Sequence, residues 1–177
     1  MEKRYVTDII GDSYNNWSRH SLQIIATQTG SRKTTFVLEK LLTRAASCGK
    51  YLIYICNRRT LNNQVKNRVL DSLDISPEYK DYFRIFTYQY CESSHKFPKF
   101  EDLPSDYTPS RQERYLNKFY GIKTSETIPT EKIMYYVFDE SHYIVADALI
   151  NSGTNYWTPD KLRQEHAITV LLTSTPE

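Results

Sequence analysis

Five short apolar runs, separated by amphipathic stretches, restrict the architecture of this chain more than any other feature. They are residues 22–26 (LQIIA), 51–56 (YLIYIC), 82–88 (YFRIFTY), 133–138 (IMYYVF) and 167–172 (AITVLL). Four of the five are apolar through their length, without the alternation of a strand that has one wet face. They therefore read as strands buried on both sides. The stretches between the early runs have helical spacing. Residues 33–47 put Val37, Leu38, Leu41, Leu42 and Ala45 on one face and Glu39, Lys40 and Arg44 on the other, with Gly49 as a stop. Leu61, Val65, Val69 and Leu73 repeat every four residues until Ile75-Ser76-Pro77 breaks the pattern. Strands alternating with helices predict an α/β fold, a mainly parallel sheet with helices on both faces. One domain is expected over residues 1–177. A polar excursion near 92–132 carries Pro98, Pro104, Pro109 and Pro129, with one short helix over 110–119. Further short helices are expected through 148–150 and over 159–165, around a turn at Asn151-Ser152-Gly153.

In such sheets ligands bind beyond the carboxyl ends of the strands, and polar clusters follow the apolar runs here. The first is residues 27–34, TQTGSRKT, which nearly matches the phosphate-binding pattern GxxxxGK[ST]. A strand, a turn and a helix N-terminus in that order aim backbone N–H groups at an anion. Thr29, Gly30, Ser31, Arg32, Lys33 and Thr34 form the candidate ATP-binding set. Lys33 is expected to reach the β- and γ-phosphates, and the Thr34 hydroxyl to ligate Mg²⁺. Two positions depart from the pattern: Thr27 stands at its first glycine and Arg32 at the glycine before the lysine. Left-handed backbone at a non-glycine residue costs about 1–2 kcal/mol. The plainer alternative is a Ser/Thr-rich turn beside a basic pair.

The second cluster is Asp139-Glu140-Ser141-His142, directly after the fourth run. A carboxylate at a strand end can hold a metal ion facing the loop, and its neighbour can accept a proton from water. Asp139 takes the first role and Glu140 the second; the alternative is an acidic helix cap. Tyr14 and Trp17, upstream of the first strand, either stack on a purine ring or cover the edge of the core.

Several function classes fall away. Net charge is +2, so any case for nucleic acid must be local. Cys48, Cys56 and Cys91 are odd in number and widely spaced, and the four histidines lack ligand spacing. These features oppose a disulfide framework or a zinc site. No run approaches the roughly 20 apolar residues of a membrane span. No signal-peptide core opens the chain, and a cytoplasmic location is expected.

With these motifs in order, residues 14–177 resemble the first RecA-like domain of superfamily 2 helicases of the DEAD/DEAH-box-like kind, near the helicase portion of type III restriction enzymes. TQTGSRKT is similar to motif I, YICNRRTLNNQV to motif Ia, VFDESH to motif II in its DExH form and LLTSTP to motif III. IFTYQ is similar to the strand and turn before the motif Ib region. The resemblance implies a P-loop ATP-binding lobe of a nucleic-acid helicase or translocase, with DNA ahead of RNA as polymer. It implies ATP and Mg²⁺ as cofactors, Lys33 and Thr34 on phosphate and metal, Asp139 on metal and Glu140 on water. His142 and the triplet Thr173, Ser174 and Thr175 would couple nucleotide state to nucleic-acid grip. Arg58, Arg59 and Thr60 would touch a nucleic-acid backbone. For His142 the alternative is a cap or packing role, and for the arginines a solvated helix start. The family also uses a second RecA-like lobe, which completes the cleft and supplies an arginine finger. The sequence ends at Glu177, so a fragment or one subunit of a split machine is expected, with little or no turnover alone. The competing expectation is a degenerate, non-catalytic module that binds nucleic acid or a protein partner.

Overall fold

A computed structural model of the chain describes residues 5–56, 64, 65, 67–69, 71, 72, 75–88, 130–142 and 166–174. All five apolar runs are strands: β1 (Leu22–Thr27), β2 (Tyr51–Cys56), β3 (Phe83–Thr87), β4 (Ile133–Phe138) and β5 (Ile168–Ser174). They form one sheet in the order β1-β5-β4-β2-β3, and every neighbouring pair is parallel. The fold is α/β, of the RecA-like P-loop type. Burial follows the order. In the central strands β2 and β4, all residues except Tyr51 and Met134 are buried. Strand β1 lies at the edge, where Ile25 is buried and Ile24 is 64% exposed.

The helix after the loop begins as Lys33–Phe36, widens to a π-helical stretch, Val37–Leu42, and ends as Thr43–Ser47; together these are α2. Its expected apolar face is its buried face: Val37, Leu38, Leu41, Leu42 and Ala45 are at most 2% exposed. Phe36, outside that face in the sequence reading, is fully buried as well. Tyr14 and Trp17 meet the Phe36 ring edge-on at centroid distances of 5.7 and 6.3 Å. The core-edge alternative therefore holds for both aromatics. Arg44 ties the same region down: its guanidinium donates to the Tyr14 and Asn15 carbonyls and to the Tyr135 hydroxyl.

A short helix that local pattern does not announce, α1 (Val6–Ile10), packs beside α2. Val6 is buried, and its N–H donates to the Ser31 carbonyl at 3.0 Å, so tertiary contact holds the helix in place. Described residues between 64 and 71 are helical, with Val65 and Val69 buried as their spacing requires. That helix has ended by Ser72, ahead of the break expected at Ile75-Ser76-Pro77; Pro77 instead opens another, α3 (Pro77–Lys80), where a missing N–H costs nothing. These helices share one core cluster with Tyr54, Tyr135 and Val137 of the sheet. The opposite face buries Ile53, Ile55, Tyr136 and Phe138 with Phe86 and Tyr88. The expected helices over 110–119, through 148–150 and over 159–165, Leu61 and Leu73, Cys91, the turn at 151–153 and nearly all of the 92–132 excursion lie outside the described residues.

Phe36 is the keystone between α2 and the N-terminal aromatics. Phe36→Ala should lower the unfolding free energy by about 3–5 kcal/mol in urea titrations; a loss below about 1 kcal/mol would contradict this packing.

Candidate functional site

Sheet order decides what can meet at the carboxyl rim. Strand β5 lies between β1 and β4, with Thr27 paired to Ser174 and Phe138 to Leu171. The segment after β4 is anchored to the same strand, because the Ser141 N–H donates to the Leu172 carbonyl at 2.8 Å. The loop after β1 and the acidic pair after β4 therefore face each other across one strand, about 10 Å apart at two strand spacings. A cavity of about 500 Å³ lies between them. Its walls include Thr29, Gly30, Ser31, Arg32, Lys33 and Thr34 on one side and Asp139, Glu140 and Ser174 on the other.

Within the loop, Lys33 is 9% exposed and its Nζ donates to the Thr27 and Gln28 carbonyls at 3.0 and 3.2 Å. The Thr27 and Ser31 hydroxyls bond at 2.6 Å across the loop. Burial pulls the Lys33 ammonium below the usual lysine range, while Glu140 and Asp139 push it back up. All six loop positions expected to bind ATP thus share one surface. Arg32 takes the left-handed conformation, φ 61° and ψ 35°, that a glycine adopts without steric cost. Its guanidinium lies over the Tyr5 ring, 4.2 Å from the centroid. Arg32 is exposed, and a cation–π contact at an exposed site returns about 0.5–1 kcal/mol, which offsets only part of the backbone cost of about 1–2 kcal/mol.

Asp139 is 6% exposed. Its Oδ2 accepts the Tyr54 hydroxyl at 2.5 Å and its Oδ1 the Glu140 N–H at 2.9 Å. Burial pushes the Asp139 carboxyl above the usual carboxylate range; the Tyr54 hydrogen bond opposes that, Glu140 adds to it and Lys33 opposes it. Burial, with Asp139 adding to it, also drives the Tyr54 hydroxyl well above the ordinary tyrosine value. Glu140 has left-handed backbone, φ 55°, and its Oε2 lies 3.1 Å from Nδ1 of His142, which is exposed. The acidic pair is therefore a strand-end turn, with His142 bound to the second acid.

The donor set fits a hard divalent cation shared with phosphate. The buried Asp139 carboxylate and Thr34 line the same cavity, and the Tyr54 hydroxyl holds the carboxylate in place. Among the described residues no group of three His, Cys, Asp or Glu side chains could cage a metal by itself. Mg²⁺ takes one or two carboxylates and completes its octahedron with water and substrate phosphates. Thr173 and Ser174 fall inside β5, so the strand runs two residues past its expected end. Ser174 reaches the cavity. Arg58, Arg59, Thr60 and Thr175 lie outside the described residues.

Sequence reasoning missed Tyr54, Tyr5 and Arg68. Arg68 lines the cavity and donates to the Thr35 hydroxyl. A tyrosine inside an apolar strand was a usable signal, since a buried phenol needs a partner; the partner, 85 residues on, was not readable. No protein-family model and no curated protein matches the sequence. No helix among the described residues is long and apolar enough to cross a membrane.

The raised Asp139 carboxyl has a definite sign in stability. A group with a raised folded value loses folded-state stability as pH climbs through that value. Asp139→Asn should therefore melt above the unaltered chain at neutral pH. The gap should close on acidification toward about pH 3, below the ordinary carboxylate value. Calorimetric Tm across that range checks this; a gap that widens in acid would contradict it.

Proposed function

We propose that this chain is the ATP-binding lobe of a nucleic-acid helicase or translocase, DNA ahead of RNA, and that it hydrolyses ATP with Mg²⁺ when a second lobe completes the cleft. One observation carries the reading: Lys33, Thr34, Asp139 and Glu140, drawn from segments about a hundred residues apart in sequence, line a single cavity at one rim of a parallel sheet. Its volume lies within the range of small-molecule sites. The order of the motif-like segments along the chain, including LLTSTP, whose first four residues close β5, supports the helicase class over a small-molecule kinase.

In this reading the loop N–H groups and the Lys33 ammonium bind the β- and γ-phosphates. Thr34 and Asp139 would hold Mg²⁺, which neutralises charge on the phosphate oxygens when bound. Glu140 orients a water molecule and accepts its proton as the water oxygen attacks the γ-phosphorus. The bond from that phosphorus to the bridging oxygen breaks, leaving ADP and phosphate. Glu140 Oε2 lies 3.1 Å from His142 Nδ1, an exposed contact beside the proposed water position. One lobe provides one wall of the cleft, so the isolated chain binds nucleotide weakly and turns over slowly or not at all.

Titration of a fluorescent ATP analogue tests the reading. The unaltered chain should bind it better with Mg²⁺ than with EDTA. Lys33→Ala should weaken binding roughly 10-fold or more, the loss of a charge-assisted hydrogen bond worth about 1.5–3 kcal/mol. Arg32→Gly should bind at least as tightly as the unaltered chain. If neither the unaltered chain nor Arg32→Gly binds, the cleft is not a nucleotide site and the non-catalytic module is the better reading. With a second lobe supplied, single-stranded DNA should stimulate hydrolysis, and Glu140→Gln should abolish it while retaining binding.

A further inference from the structure

Beneath the cleft, Asp139 is fixed at four points. Its N–H donates to the Ile55 carbonyl at 2.8 Å, and its carbonyl accepts the Tyr88 hydroxyl at 2.9 Å. Its two carboxylate oxygens take the Glu140 N–H and the Tyr54 hydroxyl. The last bond is the shortest of the four, and it joins a neutral donor to a carboxylate, the stronger kind of hydrogen bond. Tyr54 pairs with Val137 in the sheet, two residues before Asp139, about 6.6 Å along the strand. Its side chain spans that distance, so the phenol oxygen emerges at the rim from a fully buried ring.

Packing alone does not call for this hydroxyl. Phenylalanine would occupy nearly the same space and bring no polar atom to satisfy, whereas a buried hydroxyl is tolerated only when bonded. The partner of this phenol is the Asp139 carboxylate at the end of β4, 2.5 Å away. Asp139 lines the cleft and is the carboxylate assigned above to a divalent cation.

We propose that Tyr54 is a positioning residue for the divalent cation of this cleft. Its phenol donates to Oδ2 of Asp139 and so fixes the rotation of that carboxylate, leaving the remaining lone pairs for the metal. The inference rests on the nucleotide reading and adds a requirement for one residue, which the resemblance does not assign to the site. Loss of such an outer partner costs a metal site about 10- to 100-fold in affinity.

The test is a Mg²⁺ titration of fluorescent ATP-analogue binding by the full chain. Tyr54→Phe should raise the Mg²⁺ concentration at half-maximal binding by about 10-fold or more and leave affinity in EDTA unchanged. Tyr135→Phe is the control: it removes another buried hydroxyl, bonded to Arg44, and should lower Tm without moving the Mg²⁺ midpoint. An unchanged midpoint in Tyr54→Phe, with Mg²⁺-dependent binding intact in the unaltered chain, would overturn the positioning role and leave the nucleotide reading standing. Absence of Mg²⁺-dependent binding in the unaltered chain would remove both. If Tyr54→Phe does not fold, 3-fluorotyrosine labelling of the unaltered chain carries the test. A buried fluorine resonance should shift with nucleotide and Mg²⁺ but not with nucleotide and EDTA; identical spectra would overturn the proposal.

Discussion

The hydrogen bonds that strand β5 makes on both its sides are what the rest of the arrangement depends on. Neither the loop after β1 nor the acidic turn after β4 touches the other through the backbone. Each is registered against β5 instead, Thr27 against Ser174 and Phe138 against Leu171, with the Ser141 N–H capping the Leu172 carbonyl. A one-residue slip on either side would turn every side chain of the slipped strand to the other face. Val137, Val170 and Ile25, buried in one cluster, make such a slip costly. The cleft is thus held open to about two strand spacings by a strand buried through most of its length.

Charge at the rim follows from that spacing. Lys33 and Asp139 are both buried, and each feels the other, yet the ammonium bonds the loop carbonyls rather than the carboxylate. The carboxylate is instead held by neutral donors, Tyr54 and the Glu140 amide. Opposite charges kept apart across a cavity are each incompletely compensated. A phosphate beside the lysine and a cation beside the aspartate would relieve both. This is a physical reason for a charged ligand of mixed sign, independent of any resemblance.

The strands and the buried face of α2 were legible because wholly apolar runs and 3.6-residue spacing have few other uses. The carboxyl end of β5 was not: Thr173 and Ser174 look like a polar turn, and they extend the strand because Ala26 and Thr27 offer backbone partners. Helix α1 escaped notice because VTDII has no helical pattern, and its place comes from the Val6 contacts with the loop. At the site, Lys33, Thr34, Asp139 and Glu140 were readable from residue type and strand-end position. The left-handed backbone at Arg32 was readable from the glycine it replaces, but its partial compensation over Tyr5 needed coordinates. Tyr54 was hidden for the same reason, since its partner Asp139 lies 85 positions ahead in the chain.

The central claim is that two segments distant in sequence close on one charged ligand. Hydrogen–deuterium exchange with and without an ATP analogue and Mg²⁺ tests it most directly. Exchange should slow together in peptides covering residues 28–35 and 139–142 and stay unchanged at the far end of the sheet, around Leu22 and Ile133. Protection of only one of the two segments, or of neither, would contradict a shared cleft.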